Sequence, residues 1–251
     1  MTMRARLGLW RSIVIYHAQP WRTRALRRFY ARLLQPGMLA FDIGAHVGNR
    51  SRALAQAGLR VVAVEPQPIC AAYLARTLGR DPRVTLRREA LGAVTGTASL
   101  RISSRHPTVS TLASDWIDAV SRTTGFMQVR WDQTAEVPVL TLDALIAAHG
   151  RPDICKIDVE GHEAAILQGL SQPLDRVVFE YLPVAPDTAL ACIDRLSALA
   201  DDYRYNWVIG ERHRWARADW GTAADCRRAI EARPRHGPGW DIYACRTGRT
   251  T

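Results

Sequence analysis

A chain of 251 residues holds one large α/β domain with a full core and leaves little room for a second. The formal net charge of +10 comes from 33 arginines and one lysine, Lys156, against 24 acids. The five cysteines have no Cys-x-x-Cys spacing and no histidine and cysteine cluster has zinc spacing, which argues against a disulfide framework and a structural metal and for reduced cysteines. The positive charge lies at the ends. Residues 1–36 hold eight arginines and no acid and residues 203–251 hold ten arginines against five acids, while the middle is slightly acidic.

Along residues 7–34, Trp10, Ile13, Val14, Tyr16, Trp21, Leu26, Tyr30, Leu33 and Leu34 alternate with arginines. This predicts two short amphipathic helices broken near Pro20, a basic helical extension covering residues 1–36. Its arginines read either as the solvated face of a packed cap or as a surface for an anionic substrate or an anionic membrane. The apolar patch Leu7 to Tyr16 is interrupted by Arg11, lacks a small-residue cleavage site and is too short to span a bilayer. The expectation is a cytoplasmic protein with at most peripheral membrane contact.

From Met38 the apolar runs alternate with helical patterns: strand to Ile43, helix 49–57, strand 60–64, helix 69–78, strand 84–86. Alternation of this kind implies parallel strands joined by crossover helices in a domain covering 37–251. The first strand leads into Gly44 and Gly48, where missing Cβ atoms let backbone approach a ligand and a helix start offers free N–H groups. The second ends at Glu65-Pro66, a position from which a carboxylate accepts hydrogen bonds from ribose hydroxyls. Gly-x-Gly-x-x-Gly is absent, so a pyrophosphate ligand and a dehydrogenase rank last. Asp42 would repel a phosphate but suits a ligand with an ammonium group and a sulfonium, and S-adenosylmethionine carries both.

Residues 93–103 read as a hairpin strand. Residues 104–136 read as a long binding loop or lid, in which Ser110, Thr111 and Trp116 would offer hydroxyls and a stacking face to a sugar. A strand at 137–140 and a helix at 142–148 lead to Ile154-Cys155-Lys156-Ile157-Asp158-Val159-Glu160-Gly161-His162-Glu163, a strand finishing in acids beside the first strand. A helix 164–170, a strand 176–180, a helix 188–199 and strands 203–209 and 240–245 follow, the last two separated by an arginine- and tryptophan-rich excursion, 210–239.

Taken together, Phe41-Asp42-Ile43-Gly44-Ala45-His46-Val47-Gly48, Val64-Glu65-Pro66, Ala90-Leu91, Thr141-Leu142-Asp143 and Lys156-Ile157-Asp158-Val159-Glu160-Gly161-His162-Glu163 resemble the FkbM-type S-adenosylmethionine-dependent methyltransferases over residues 38–182. The resemblance implies a Rossmann-like class I methyltransferase: a mostly parallel seven-stranded sheet with its last strand antiparallel. By matching position it puts Gly44, His46 and Gly48, near Asp42, at the methionine end of the cofactor, Glu65 at the ribose, Glu89 and Ala90 at the adenine edge, and Asp158 facing the methyl group. It also implies O-methylation of a hydroxyl on a sugar, glycolipid or secondary metabolite.

A hydroxyl acceptor needs a group to take its proton. Asp158 ranks first, followed by Glu160 and His162, while Glu160 and Glu163 have the alternative of capping the next helix. Lys156 would pair with one of these acids or contact substrate oxygen. No metal is expected, because nothing fixes a third ligand beside Asp158 and Glu160. The competing readings are an RNA methyltransferase, against which stands the lack of an RNA-binding module or an Asn-Pro-Pro-Tyr-like motif, and a non-catalytic protein that binds an anionic partner.

Overall fold

A computed structural model describes residues 3–17, 20–123 and 125–248. The first half of the chain forms α1 (Met3–His17), α2 (Pro20–Leu33), β1 (Leu39–Ile43), α3 (Asn49–Gln56), β2 (Arg60–Val64), α4 (Pro68–Thr77), β3 (Val84–Arg87), β4 (Ala90–Leu91), β5 (Gly96–Ile102) and α5 (Ser114–Val120). The second half adds β6 (Gln133–Leu140), α6 (Leu142–His149), β7 (Ile154–Ile157), α7 (Glu163–Gln168), β8 (Arg176–Tyr181), α8 (Pro186–Leu199), β9 (Tyr203–Ile209), α9 (Ala223–Glu231) and β10 (Trp240–Arg246).

Strands β1 and β7 are buried at every position, the pattern of parallel strands covered on both faces by helices. They are neighbours in a seven-stranded sheet of order β3-β2-β1-β7-β8-β10-β9, in which β10 alone runs against both its partners. This is the architecture expected from the sequence. The chain leaves β1 toward β2 on one side and returns through β7 on the other, so a crevice opens beyond the carboxyl ends of this pair.

A second, three-stranded sheet of order β4-β6-β5 stands apart from the first. Strand β6 begins at Gln133, four residues before the predicted start, because Gln133 to Glu136 pair with β5 while staying largely exposed and so show no apolar period. Two helices went unpredicted for the same reason. Helix α5 buries only Trp116 and Val120, and α9 buries only Cys226 and Ile230, in each case an i, i+4 pair. The start of α9 is nevertheless written in the chain as a capping box, with Thr222 and Asp225 exchanging hydrogen bonds.

At the N-terminus, Pro20 opens α2, where a missing N–H costs nothing. Leu26, Phe29, Tyr30 and Leu33 form one buried stripe of this helix, packed in a cluster with Leu54 of α3 and Tyr243 of β10. Leu9 of α1 joins Val47 and Cys70 beside the glycine turn. Among the described residues, no helix is long and apolar enough to cross a membrane.

Candidate active site

The chain leaves β1 through Gly44, whose φ of +83° is left-handed and whose missing Cβ would strike the carbonyl oxygen of Asp158. Only glycine lets this turn pass so close to the end of β7. The turn is anchored by the N–H groups of Gly44 and Ala45, both donating to Val64 O at 3.0 Å. The next N–H, that of His46, donates to Glu65 Oε2 at 2.7 Å, and Gln67 N–H donates to Oε1 at 2.8 Å. Burial nevertheless pushes the Glu65 carboxyl up to about 7, against the pull of these two donors.

Glu65 borders a cavity walled by Ile43, Val64, Ala90, Leu91 and Ile166 and closed along one side by residues 107–112 of the long loop. Its donors and walls suit an adenosyl group. The aliphatic side chains offer flat apolar surface to a base, and Glu65 has carboxylate lone pairs left for two hydroxyls after taking its two backbone donors.

Gly44, His46, Thr108, Asp158 and Glu160 belong to this cavity and also to a second, polar one, completed by Tyr16, Asp42, Arg50, Glu180 and Glu211 among others. An acid-rich compartment beside an adenosyl site suits the positive charges of a sulfonium and an ammonium group. Carboxylate oxygens of Asp158, Glu160 and Glu180 lie within 4.8 Å of one another. Burial, then Asp158, then the neighbouring glutamates drive the Glu160 and Glu180 carboxyls well above the ordinary range. Asp42, deep in β1, is also raised by burial, although Ser51 Oγ donates to it.

Beneath Asp158 lies a chain of alternating charges. Lys156, 2% exposed, places Nζ 3.2 Å from Asp158 Oδ2 and 2.9 Å from Asp241 Oδ1, and Arg50 meets Asp241 Oδ2 at 2.7 Å. Burial alone would depress the Lys156 ammonium, but Asp158 and Asp241 outweigh it and hold the pKa above its usual value. The Asp241 carboxyl, which burial would raise, is brought down to about 2 by Arg50 and Lys156.

Asp42, Gly44, His46, Glu65, Ala90, Asp158, Glu160, Ser110, Thr111 and His162 therefore stand around the two cavities, but several do not hold the positions the sequence predicts. The Glu89 carboxylate is turned to the guanidinium of Arg87, at 2.6 and 3.1 Å, instead of the adenine edge. Gly48 makes room for Leu74 of α4 and for Leu78 just beyond its end, where a Cβ would be within 2.6 and 2.8 Å of them. Lys156 is buried in its ion pairs and borders neither cavity.

Ser110 donates to Pro107 O at 3.1 Å and accepts from Gln67 at 2.9 Å, while Thr111 donates to Glu160 O at 2.7 Å. Both hydroxyls fasten the loop across the cavity mouth instead of pointing at a substrate. Trp116 is buried against Gly161, whose missing Cβ makes room for the indole, so it offers no open stacking face. His162 borders the apolar cavity and not the acid-rich one, and burial lowers its pKa. Glu163 fastens the turn that precedes α7, its carboxylate accepting from Val159 N at 3.0 Å and Gly161 N at 3.4 Å.

Sequence reasoning missed Glu180, Glu211, Tyr16, Arg50 and Asp241. Glu180 had a usable signal: like Asp42, Glu65 and Asp158, it is an acid closing an apolar parallel strand at its carboxyl end. Glu180 also stands third beside Asp158 and Glu160, so three carboxylates, not two, converge here.

No curated protein matches the chain. In fold it is similar to an O-methyltransferase from Bacillus cereus in complex with SAH, at 12% identity over 97% of this chain and 89% of that one, with a TM-score of 0.48. It is also similar to precorrin-6y C5,15-methyltransferase from Geobacter metallireducens, at 15% identity over 91% and 88% with a TM-score of 0.45. An rRNA methylase from Streptococcus thermophilus overlaps at 10% identity over 88% and 93% with a TM-score of 0.43. Residues 42–205 match the model of the methyltransferase FkbM domain. With that match laid over the glycine turn, Glu65 and the acid-tipped strands, the chain belongs to the FkbM family and is an S-adenosylmethionine-dependent methyltransferase.

Proposed function

We propose that the enzyme methylates a hydroxyl oxygen of a neutral, polyhydroxylated acceptor such as a sugar or the sugar of a glycolipid. The observation that carries this reading is the acid-rich compartment next to the cofactor cavity, with Asp42, Asp158, Glu160, Glu180 and Glu211 on its walls. Hydroxyls donate to carboxylates and to protonated acids alike, whereas a phosphodiester backbone meets repulsion there. Arg50, the one guanidinium on that wall among the described residues, is already paired with Asp241. An RNA acceptor is the second choice on this ground.

S-adenosylmethionine supplies an activated methyl group on a sulfonium. The protein holds the acceptor in line with it and receives the hydroxyl proton, and Asp158, common to both cavities, is assigned that proton. The test is transfer of tritiated methyl to neutral glycans and lipid-linked sugars, with RNA alongside. Label released as a base-stable methyl ether is expected, and label confined to RNA overturns the proposal.

Glu65 gives the site a pH dependence. Its carboxyl, pushed up to about 7 in the free protein, already accepts a backbone N–H on each oxygen and keeps a lone pair on each for a hydroxyl only when ionised, so binding S-adenosylhomocysteine drives the proton off. Affinity is therefore expected to rise about tenfold between pH 6 and pH 8 and to level off above, since each unit below the free pKa costs about a factor of ten. Calorimetric titration of the wild type and Glu65→Gln checks this. The variant should bind more weakly and show no such rise, and an equal slope in both would remove Glu65 from the ribose position.

A further inference from the structure

Helix α1 has two unlike faces. With about 100° per residue, Gly8, Leu9, Ser12, Ile13 and Tyr16 share the half turned to the domain. Leu9 packs there on Val47 and Cys70, and Tyr16 meets the ring of His46 and borders the acid-rich cavity. On the other half, Trp10, Val14 and Leu7 fall within about 60° of one another. They are 66%, 51% and 65% exposed, and Trp21 at the start of α2 is 63% exposed.

An exposed apolar stripe of this kind needs a cover. Its chemistry points to one. Arg6 and Arg11 flank the stripe on α1, α2 adds exposed Arg22, Arg24, Arg27, Arg28 and Arg32, and residues 1–36 contain no acid. A second copy of the chain would bring like charges face to face around the stripe. Tryptophan and aliphatic side chains bordered by arginines, on a helix lying along a surface, match the boundary of an anionic bilayer, where rings sit at headgroup depth and guanidinium groups meet phosphates.

We infer that the outer face of α1, with the start of α2, docks the enzyme on an anionic lipid surface and sets the acid-rich cavity beside it. That the acceptor is itself a membrane-borne glycolipid rests on the hydroxyl-acceptor reading above; the docking does not.

The experiment is co-sedimentation of the full chain, without acceptor, with vesicles of phosphatidylcholine alone or containing 30 mol% phosphatidylglycerol. Binding to the anionic vesicles at least tenfold tighter than to the neutral ones, and weakened by salt, is expected. Leu7→Glu/Trp10→Glu should lower it a further tenfold or more while leaving S-adenosylhomocysteine affinity unchanged, which certifies the fold. Equal binding by variant and wild type, or no binding to anionic vesicles, overturns the inference. So does a concentration-dependent dimer abolished by the same substitutions, which would assign the stripe to a second copy. Because no methyl transfer is measured, a failed acceptor assignment leaves this result intact, and vesicle binding without transfer to lipid-linked sugars would count against the acceptor alone.

Discussion

Asp158→Asn is expected to slow methyl transfer by about 10²- to 10⁴-fold, the span of a lost general base, while S-adenosylhomocysteine affinity stays within about threefold. Asp158 borders both cavities, as Glu160 does, and is itself 29% exposed in its side chain, open to an incoming hydroxyl. Asparagine keeps its shape and loses its capacity to take a proton. A reduced kcat with unchanged cofactor affinity is the signature of a group used in the chemical step. An effect below about tenfold on kcat would move the base elsewhere in the cluster.

The neighbouring acids supply the comparison. Burial and Asp158 press Glu160 toward its protonated form, in which it would donate a hydrogen bond, as an amide also does. Glu160→Gln is therefore expected to cost less than about tenfold in kcat, far short of a lost base. Two acids with environments pushed apart take different roles, and the pair of substitutions separates them.

How much of this was legible before folding follows from how far each signal reaches along the chain. Strands β2 and β9 fall at the bounds their apolar runs predict, because each run is local and closed by polar or glycine residues. The glycine turn and the Glu65 position are local too: fewer than 20 residues separate His46 from the carboxylate it donates to. Loop chemistry is not. Thr111 spends its hydroxyl on Glu160, 49 residues away, and nothing in the loop's own sequence announces it. Asp241 is the extreme case, an acid between Trp240 and Ile242 in a buried strand, whose partner Arg50 lies 191 residues earlier.

That distant pairing explains why the only lysine of the chain stands at position 156. Its Nζ must reach two carboxylates from inside a strand with no exposed residue, next to a guanidinium that already occupies the other side of Asp241. A compact ammonium fits between them; the broader planar fork of arginine would overpack the slot, and Lys156→Arg is expected to cost about 1–3 kcal/mol. Asp241→Asn should cost more, about 3–5 kcal/mol, because it removes the carboxylate that both Lys156 and Arg50 meet and leaves the buried ammonium its longer ion pair with Asp158. Lys156→Met leaves Asp241 its arginine and should cost about 1.5–3 kcal/mol.

The Asp241 contribution also has a pH window. Its folded carboxyl sits near 2 against an ordinary 3.8, so the stabilisation is complete above pH 4 and is lost as pH falls toward 2. Urea denaturation of the wild type and the single and double variants, with an acid titration of each, would read all of these. The double variant Lys156→Met/Asp241→Asn should be about 0.5–3 kcal/mol better than the sum of its parts, since Asp241→Asn weakens the pairing of a buried ammonium that Lys156→Met removes. Strict additivity, or an acid limb unchanged in Asp241→Asn, would mean that the buried charges do not act as one network.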